Sequence, residues 1–189
     1  MRVTKMAVIQ AASDIADKDG LNNVSLKVVA EKLNIRTPSL YNHIDSLDDL
    51  LREVAHSGMK IMNDRMTRVA IGNLGDAAIK AVGVEYLNYM IEHPGIYETI
   101  QWATWHGTEE TSAIFGNYIS LLSTLIHSCN FKADHTDEIL NILMGVLHGY
   151  TTMQLRYAFE KPDEVRNALS DAIDTVLLGI HQKYDEQAT

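Results

Sequence analysis

Residues 25–44 read SLKVVAEKLNIRTPSLYNHI, and the architecture of the chain turns on how this stretch is parsed. Ser25 carries a short side-chain oxygen suited to capping a helix. Behind it Leu26, Val29, Ala30 and Leu33 recur at i, i+3, i+4 and i+7, which is one apolar stripe of a helix. Asn34-Ile35-Arg36 follow as a turn. Pro38 drives the residue before it toward extended backbone, so Thr37 is expected to cap a very short helix over about Pro38 to His43. Two short amphipathic helices across a three-residue turn form the pattern of a helix-turn-helix, whose second helix enters the major groove of DNA. That spacing also fits an inert three-helix core. The chemistry left outside the core favours DNA: with Leu40 and Ile44 inward, the short helix exposes Thr37, Ser39, Tyr41, Asn42 and His43, next to Arg36. These are compact or planar hydrogen-bonding groups suited to phosphates and base edges, where a merely solvated helix would carry Lys and Glu.

Outward from this stretch every apolar pattern keeps helical spacing, and no alternating run is long enough for a strand, so the fold class is all-α. Upstream, Val8, Ala11, Ala12 and Ile15 share one face of a helix that should stop near Asp19, with Gly20 free to take a positive φ. Downstream, Ser46-Leu47-Asp48-Asp49 reads as a capping box opening a helix with Leu47, Leu50, Leu51 and Val54 on one face. Gly58 lies in its interior, where glycine costs about 1 kcal/mol relative to alanine and marks either a bend or a close approach. Further helices are expected at roughly 76–93, 94–103, 109–129, 135–160 and 162–184. Pro38, Pro94 and Pro162 each fall where a helix begins, where the missing N–H costs nothing. The expected division is a helix-turn-helix domain over 1–57 and a helical ligand-binding and dimerisation domain over 58–189.

Residues 8–51 resemble the N-terminal domain of TetR/AcrR-family regulators. The resemblance runs through Val8-Ile9, Ala11-Ala12, Gly20, Ser25 to Ala30, Pro38 to Ile44 and Ser46 to Leu51. It implies that Thr37, Pro38 and Ser39 approach bases or backbone, that Tyr41 and His43 contact phosphates, and that Ser25 and Lys27 meet the DNA backbone. Two positions depart from the family pattern. Asn34 replaces the usual turn glycine, a mild change because Asn tolerates left-handed backbone. Leu47 stands where the family often has a phosphate-contacting lysine.

Tyr86 to Tyr97 resembles the helix-to-helix passage of one branch of TetR C-terminal domains, a branch with a Trp and a His-Gly motif. Its His-Gly matches His148-Gly149, with Met144 in place of the tryptophan. The literal Trp105-His106-Gly107 falls at an expected loop and is set aside. The family surrounds an effector cavity with the helices that here carry Tyr86, Tyr89, Met90, Tyr97, Trp102, Phe115, Tyr118, Tyr150, Met144 and His148. Such an aromatic set fits a ligand pocket or a plain core. A buried His148 needs a hydrogen-bond partner in either case. The helix over 135–160 is apolar nearly all round, and the last helix carries Val165, Leu169, Ile173, Val176, Leu177 and Ile180. Leu143 and the stripe from Leu169 to Ile180 either complete one chain's core or pair with a second copy, as the family's last two helices do.

Composition narrows the classes. The net charge is −9, and Lys+Arg number 7 against 8 Asp+Glu in residues 1–57 but 9 against 17 in residues 58–189. A protein basic throughout is excluded, while a local DNA contact is not. The single Cys129 provides neither a disulfide nor a cysteine-rich metal site and reads as core. No apolar run approaches the roughly 20 residues of a membrane span, so a cytoplasmic location is expected. An all-α metal-carboxylate enzyme would need Glu-x-x-His pairs on two helices. Only Glu53-Val-Ala-His56 fits, and no phosphate-cradling loop or nucleophile elbow is present. The expectation is a regulator and not an enzyme, without cofactor or metal. Its partners would be double-stranded DNA, a small apolar or aromatic effector and a second copy of the chain, and it would act as a repressor released from a palindromic operator. The competing readings are the metal-carboxylate enzyme and a dimeric interaction module without DNA binding.

Overall fold

Thr4 opens the first helix of the computed structural model, which describes residues 3–129, 131–156 and 159–185. Its hydroxyl accepts the Ala7 N–H at 3.2 Å, and α1 (Lys5–Asp19) follows. The helix ends at Gly20, whose φ of 88° a side chain would oppose. After a 3₁₀ turn at Leu21–Asn23, Ser25 caps α2 (Leu26–Lys32) by accepting the Val28 N–H at 3.3 Å. The exit from α2 explains Asn34. Its N–H reaches Glu31 O and that of Ile35 reaches Ala30 O, both at 3.0 Å, while Asn34 takes φ 53°. This is a Schellman ending with asparagine in the position glycine usually holds.

The second short helix is a 3₁₀ segment, Thr37–Asn42. Thr37 is its first residue and not its cap, because the i to i+3 ladder starts one residue earlier, with Ser39 N–H on Arg36 O at 2.8 Å. α3 (Leu47–Ala70) begins at the capping box: Ser46 Oγ accepts the Asp49 N–H, and Asp49 Oδ2 accepts the Asp45 N–H, each at 3.0 Å. The helices that follow are α4 (Gly75–Glu92), α5 (Pro94–His106), α6 (Glu109–His127), α7 (Thr136–Leu155) and α8 (Pro162–Tyr184). The expected spans are met to within a few residues. α5 runs three residues past the expected 103, and α7 stops at Leu155, with residues 157 and 158 of the expected span outside the described ones.

The chain divides into two compact units that do not follow a single cut after residue 57. One comprises Met1–Ile61 and His93–Phe115, the other Met62–Glu92 and Gly116–Thr189. α5 therefore belongs with the helix-turn-helix and packs on α1, while α3 and α6 supply residues to both units. The core of the first unit gathers Val8, Ala12, Ile15, Val29, Leu40, Ile44, Leu50 and Val54, all nearly inaccessible.

The second unit packs α4, α7 and α8 against one another. Gly83 on α4 sits at the crossing, where a Cβ would come within 2.8 Å of Ile173 and 3.0 Å of Leu147. Leu143, Leu169, Ile173, Leu177 and Ile180, expected to join a second copy, are at most 3% exposed within the single chain. They are core residues, because the stripe on α8 is the face turned toward α4 and α7. Only Val176 of that set is half-exposed. What α7 leaves outward is Ile142, Gly145, Val146, Gly149 and Met153, at helical spacing, and α8 leaves Leu178 73% exposed.

Candidate functional site

The helix-turn-helix presents its polar residues as expected. Leu40 and Ile44 are buried and hold the 3₁₀ segment to the core. Arg36, Pro38, Tyr41 and Asn42 are exposed, and Thr37, Ser39 and His43 are half-exposed. Tyr41 is a large aromatic with 56% of its surface in solvent. α2 packs against this segment and opens with Ser25 and the exposed Lys27, whose nearest carboxylate, Glu31, is a loose 3.9 Å away. Elsewhere in this unit Lys5 is held by Glu53 at 2.7 Å and Lys32 by Asp14 at 2.9 Å.

A cavity of about 330 Å³ lies in the same unit. α3 contributes Met59; α5 contributes Ile100, Ala103, Thr104 and Trp105; Gly107 and the first turns of α6, with Thr111, Ser112 and Phe115, complete it. The wall mixes apolar side chains with the hydroxyl residues Thr104, Thr111 and Ser112, which suits a small ligand with an apolar body and a hydrogen-bonding group. Trp105 is 87% exposed at this wall, and Trp102 stacks on His106 with ring centroids 4.6 Å apart. Trp105 and Gly107 belong to the tripeptide set aside above; α5 runs through Trp105 and His106 and ends at Gly107, whose backbone is extended.

Behind the cavity, His56 of α3 is 4% exposed and its Nε2 lies 2.8 Å from Thr111 Oγ1. Burial pushes its pKa below the ordinary histidine value, against the opposing pull of Glu110 and Glu53. Thr111 Oγ1 also accepts the Thr108 N–H at 3.0 Å. The His56 Nε2–Thr111 Oγ1 hydrogen bond can run in either direction, and Glu110, 3.8 Å from Nδ1, stands beyond hydrogen-bond reach of the ring. Glu53, the other half of the pair weighed as a metal motif, is turned to Lys5. The two do not converge on one point.

The expected ligand residues divide. Phe115 lines the cavity; Tyr97 and Trp102 are half-buried in the same unit without lining it. Tyr86, Tyr89, Met90 and Tyr118 are at most 2% exposed and belong to the second unit, with the half-buried Met144 and His148. There Tyr86 stacks on Tyr118 with centroids 5.9 Å apart and meets the His148 ring edge-on at 5.6 Å, its hydroxyl 3.3 Å from His148 Nδ1. Tyr150 is half-buried on α7. Burial keeps the Tyr118 phenol above and the His148 imidazole below their ordinary pKa ranges.

Comparison with known proteins agrees with the fold and the exposed helix-turn-helix. The family model of the tetracycline-repressor-like C-terminal domain matches residues 79–176. An uncharacterised helix-turn-helix-type transcriptional regulator of Bacillus subtilis, YobS, is 31% identical over 179 residues, covering 94% of this chain and 93% of its own. The chain belongs to the TetR family. A further relative, the helix-turn-helix-type transcriptional repressor DrrR1 of Streptomyces coeruleorubidus, is 29% identical over 171 residues, covering 87% of this chain and 57% of its own. A TetR variant from Acinetobacter baumannii, solved in complex with minocycline, superposes with a TM-score of 0.71 at 19% identity, covering 96% of this chain and 98% of that one. As a TetR-type transcription regulator the protein is DNA-binding and not an enzyme. Among the described residues no helix is long and apolar enough to cross a membrane.

Proposed function

We propose that the chain is a ligand-responsive repressor that binds a palindromic operator as a homodimer in the cytoplasm and is released by a small apolar or aromatic effector. The observation that carries this reading is the cavity of about 330 Å³ built into the same compact unit as the helix-turn-helix. An occupant of that cavity bears on helices that share a core with the DNA-reading segment. Arg36, Thr37, Pro38, Ser39 and Asn42 are assigned to bases and adjoining backbone, and Tyr41, His43, Ser25 and Lys27 to phosphates, supported by their exposure on elements that pack together. The dimer reading is supported by the outward row Ile142, Val146 and Met153 on α7, where Gly145 and Gly149 have open space at the Cβ position, and such a dimer would impose its two-fold symmetry on the operator.

Trp102 and Trp105 are the chain's two tryptophans, and Trp105 lies at the cavity wall. The test is therefore a screen of small neutral aromatic compounds by tryptophan fluorescence, followed by fluorescence-anisotropy titration of an operator duplex with each compound that binds. The expected result is that a compound altering the fluorescence also weakens operator binding. Compounds that bind there and leave operator affinity unchanged would defeat the effector reading. A protein that shows no salt-dependent preference for any duplex would be the interaction module.

A further inference from the structure

α5 has no cap of its own. His93 occupies the N-cap position without a side-chain cap bond, and Pro94 brings no N–H. The next two N–H groups, those of Gly95 and Ile96, are instead accepted by Oδ1 of Asp17 at 2.8 and 3.1 Å, and Oδ2 of the same carboxylate faces His93 Nδ1 at 2.9 Å. Asp17 lies near the end of α1, so a helix in the DNA-binding cluster supplies the missing N-terminal anion for a helix that begins 77 residues later in the chain. The backbones touch as well: a Cβ on Gly95 would overlap the carbonyl of Ala16 and the nitrogen of Asp17. Just beyond, Leu21 N–H donates to Glu98 Oε2 at 3.2 Å. No side-chain rotation can relieve a contact between two backbones.

At its other end the same helix forms the cavity wall with Ile100, Ala103 and Thr104. α5 is 13 residues long, a rod of about 20 Å at 1.5 Å per residue. α1 in turn packs on α2 and is tied to it by the ion pair of Asp14 with Lys32 at 2.9 Å, and α2 packs on the 3₁₀ segment that faces DNA. We infer that Asp17 is a positioning residue for operator release: it holds α1 to the end of α5, so that a displacement of α5 at the cavity is passed to the DNA-binding helices. Asp17 lines no part of the cavity and is not among the DNA-contact residues. The inference rests on the cavity being the effector site.

A substitution in the cavity wall takes the part of the effector in the test. Operator affinity is measured by anisotropy, on duplexes selected in vitro with the wild-type protein, for Ala103→Leu, Asp17→Ala, the double variant, and Asp17→Asn with and without Ala103→Leu. Ala103→Leu is expected to weaken binding about tenfold, within the range of typical allosteric couplings. In the Asp17→Ala background the same change should cost less than twofold, and Asp17→Asn, whose amide oxygen still accepts both N–H groups, should restore most of the response. A tenfold loss in both backgrounds would overturn the relay and leave the effector cavity standing. No loss in the otherwise wild-type protein would overturn the cavity reading and the relay with it. Should Asp17→Ala fail to fold, amide hydrogen exchange of Ala103→Leu decides: faster exchange over residues 16–20 and 95–97 supports the relay, and weaker DNA binding with unchanged exchange there overturns it.

Discussion

Gly58 of α3 lies against Ile96 of α5 so closely that a Cβ at position 58 would overlap the Ile96 γ-methyl. Of the two roles open to this glycine, bending or close approach, the contact selects the second. The methyl belongs to a β-branched side chain that is 4% exposed and has little freedom to turn away. Gly58→Ala is therefore expected to destabilise the protein by about 1–3 kcal/mol through overpacking, in place of the roughly 1 kcal/mol gain that helix propensity alone would give. A denaturant melt measures it. Ile96→Ala should cost less in the Gly58→Ala background than alone, because the clash is then removed; equal costs would show that the two residues do not meet.

Tyr41 tests the DNA surface without touching the core. Tyr41→Phe removes a hydroxyl from a side chain that is 56% exposed. Operator and non-operator duplexes should both bind more weakly, by about 1 kcal/mol or roughly fivefold, for the loss of one solvent-exposed hydrogen bond. The melting temperature should not change. Undiminished affinity in an anisotropy titration would take the phosphate contact away from Tyr41.

The features of the fold and the site differ in how far the sequence foretold them. Ser25, the Asn34 turn and the Ser46 capping box are local devices, each set by residues within a few positions, and the helical spans follow from periodicity. The Asp17 cap was not legible, since a polar residue near a helix end reads as solvated until the partner from another part of the chain is in place. The apolar stripe of α8 was legible as a buried face, but period alone does not say whether its cover is the same chain or another. The cavity escaped for a different reason. Searching for aromatic residues finds Phe115, which lines the cavity, along with Tyr86 and Tyr118, which do not, whereas Ala103, Thr104, Gly107 and Ser112 of its wall carry no such signal.

His56 and His181 should give stability pH dependences of opposite sign. Burial lowers the folded-state pKa of His56 despite Glu110 and Glu53, so the unfolded chain takes up the proton first. The contribution is complete above the ordinary value near 6.5 and is lost as pH falls below it. At His181 partial burial is outweighed by hydrogen bonds and charge from Asp76, 2.9 Å from Nε2, and from Asp185, 3.4 Å from Nδ1. The folded pKa is raised, and the contribution is complete below about 6.5 and is lost as pH rises through the folded value. Proton NMR should show the His56 ring titrating below the free imidazole and the His181 ring above it. His181→Gln should remove the loss on the alkaline side; a reversed order of the two titrations would refute both assignments.

The dimer prediction now rests on different residues from those the stripe on α8 suggested. Leu169 is fully buried within one chain, so Leu169→Glu places an unpaired charge in the core of the second unit and should unfold it, a cost of several kcal/mol that says nothing about assembly. Ile142 and Leu178 are instead 38% and 73% exposed, and Gly145 and Gly149 on the face of Ile142 have no neighbour at the Cβ position, leaving room for another helix to approach. Ile142→Glu with Leu178→Glu is expected to give a folded monomer, with an unchanged helical circular-dichroism spectrum, that binds a palindromic operator at least tenfold more weakly than wild type because only one half-site is engaged at a time. Light scattering coupled to size exclusion reads the outcome. A dimer that survives both charges would place the two-fold interface away from these faces of α7 and α8.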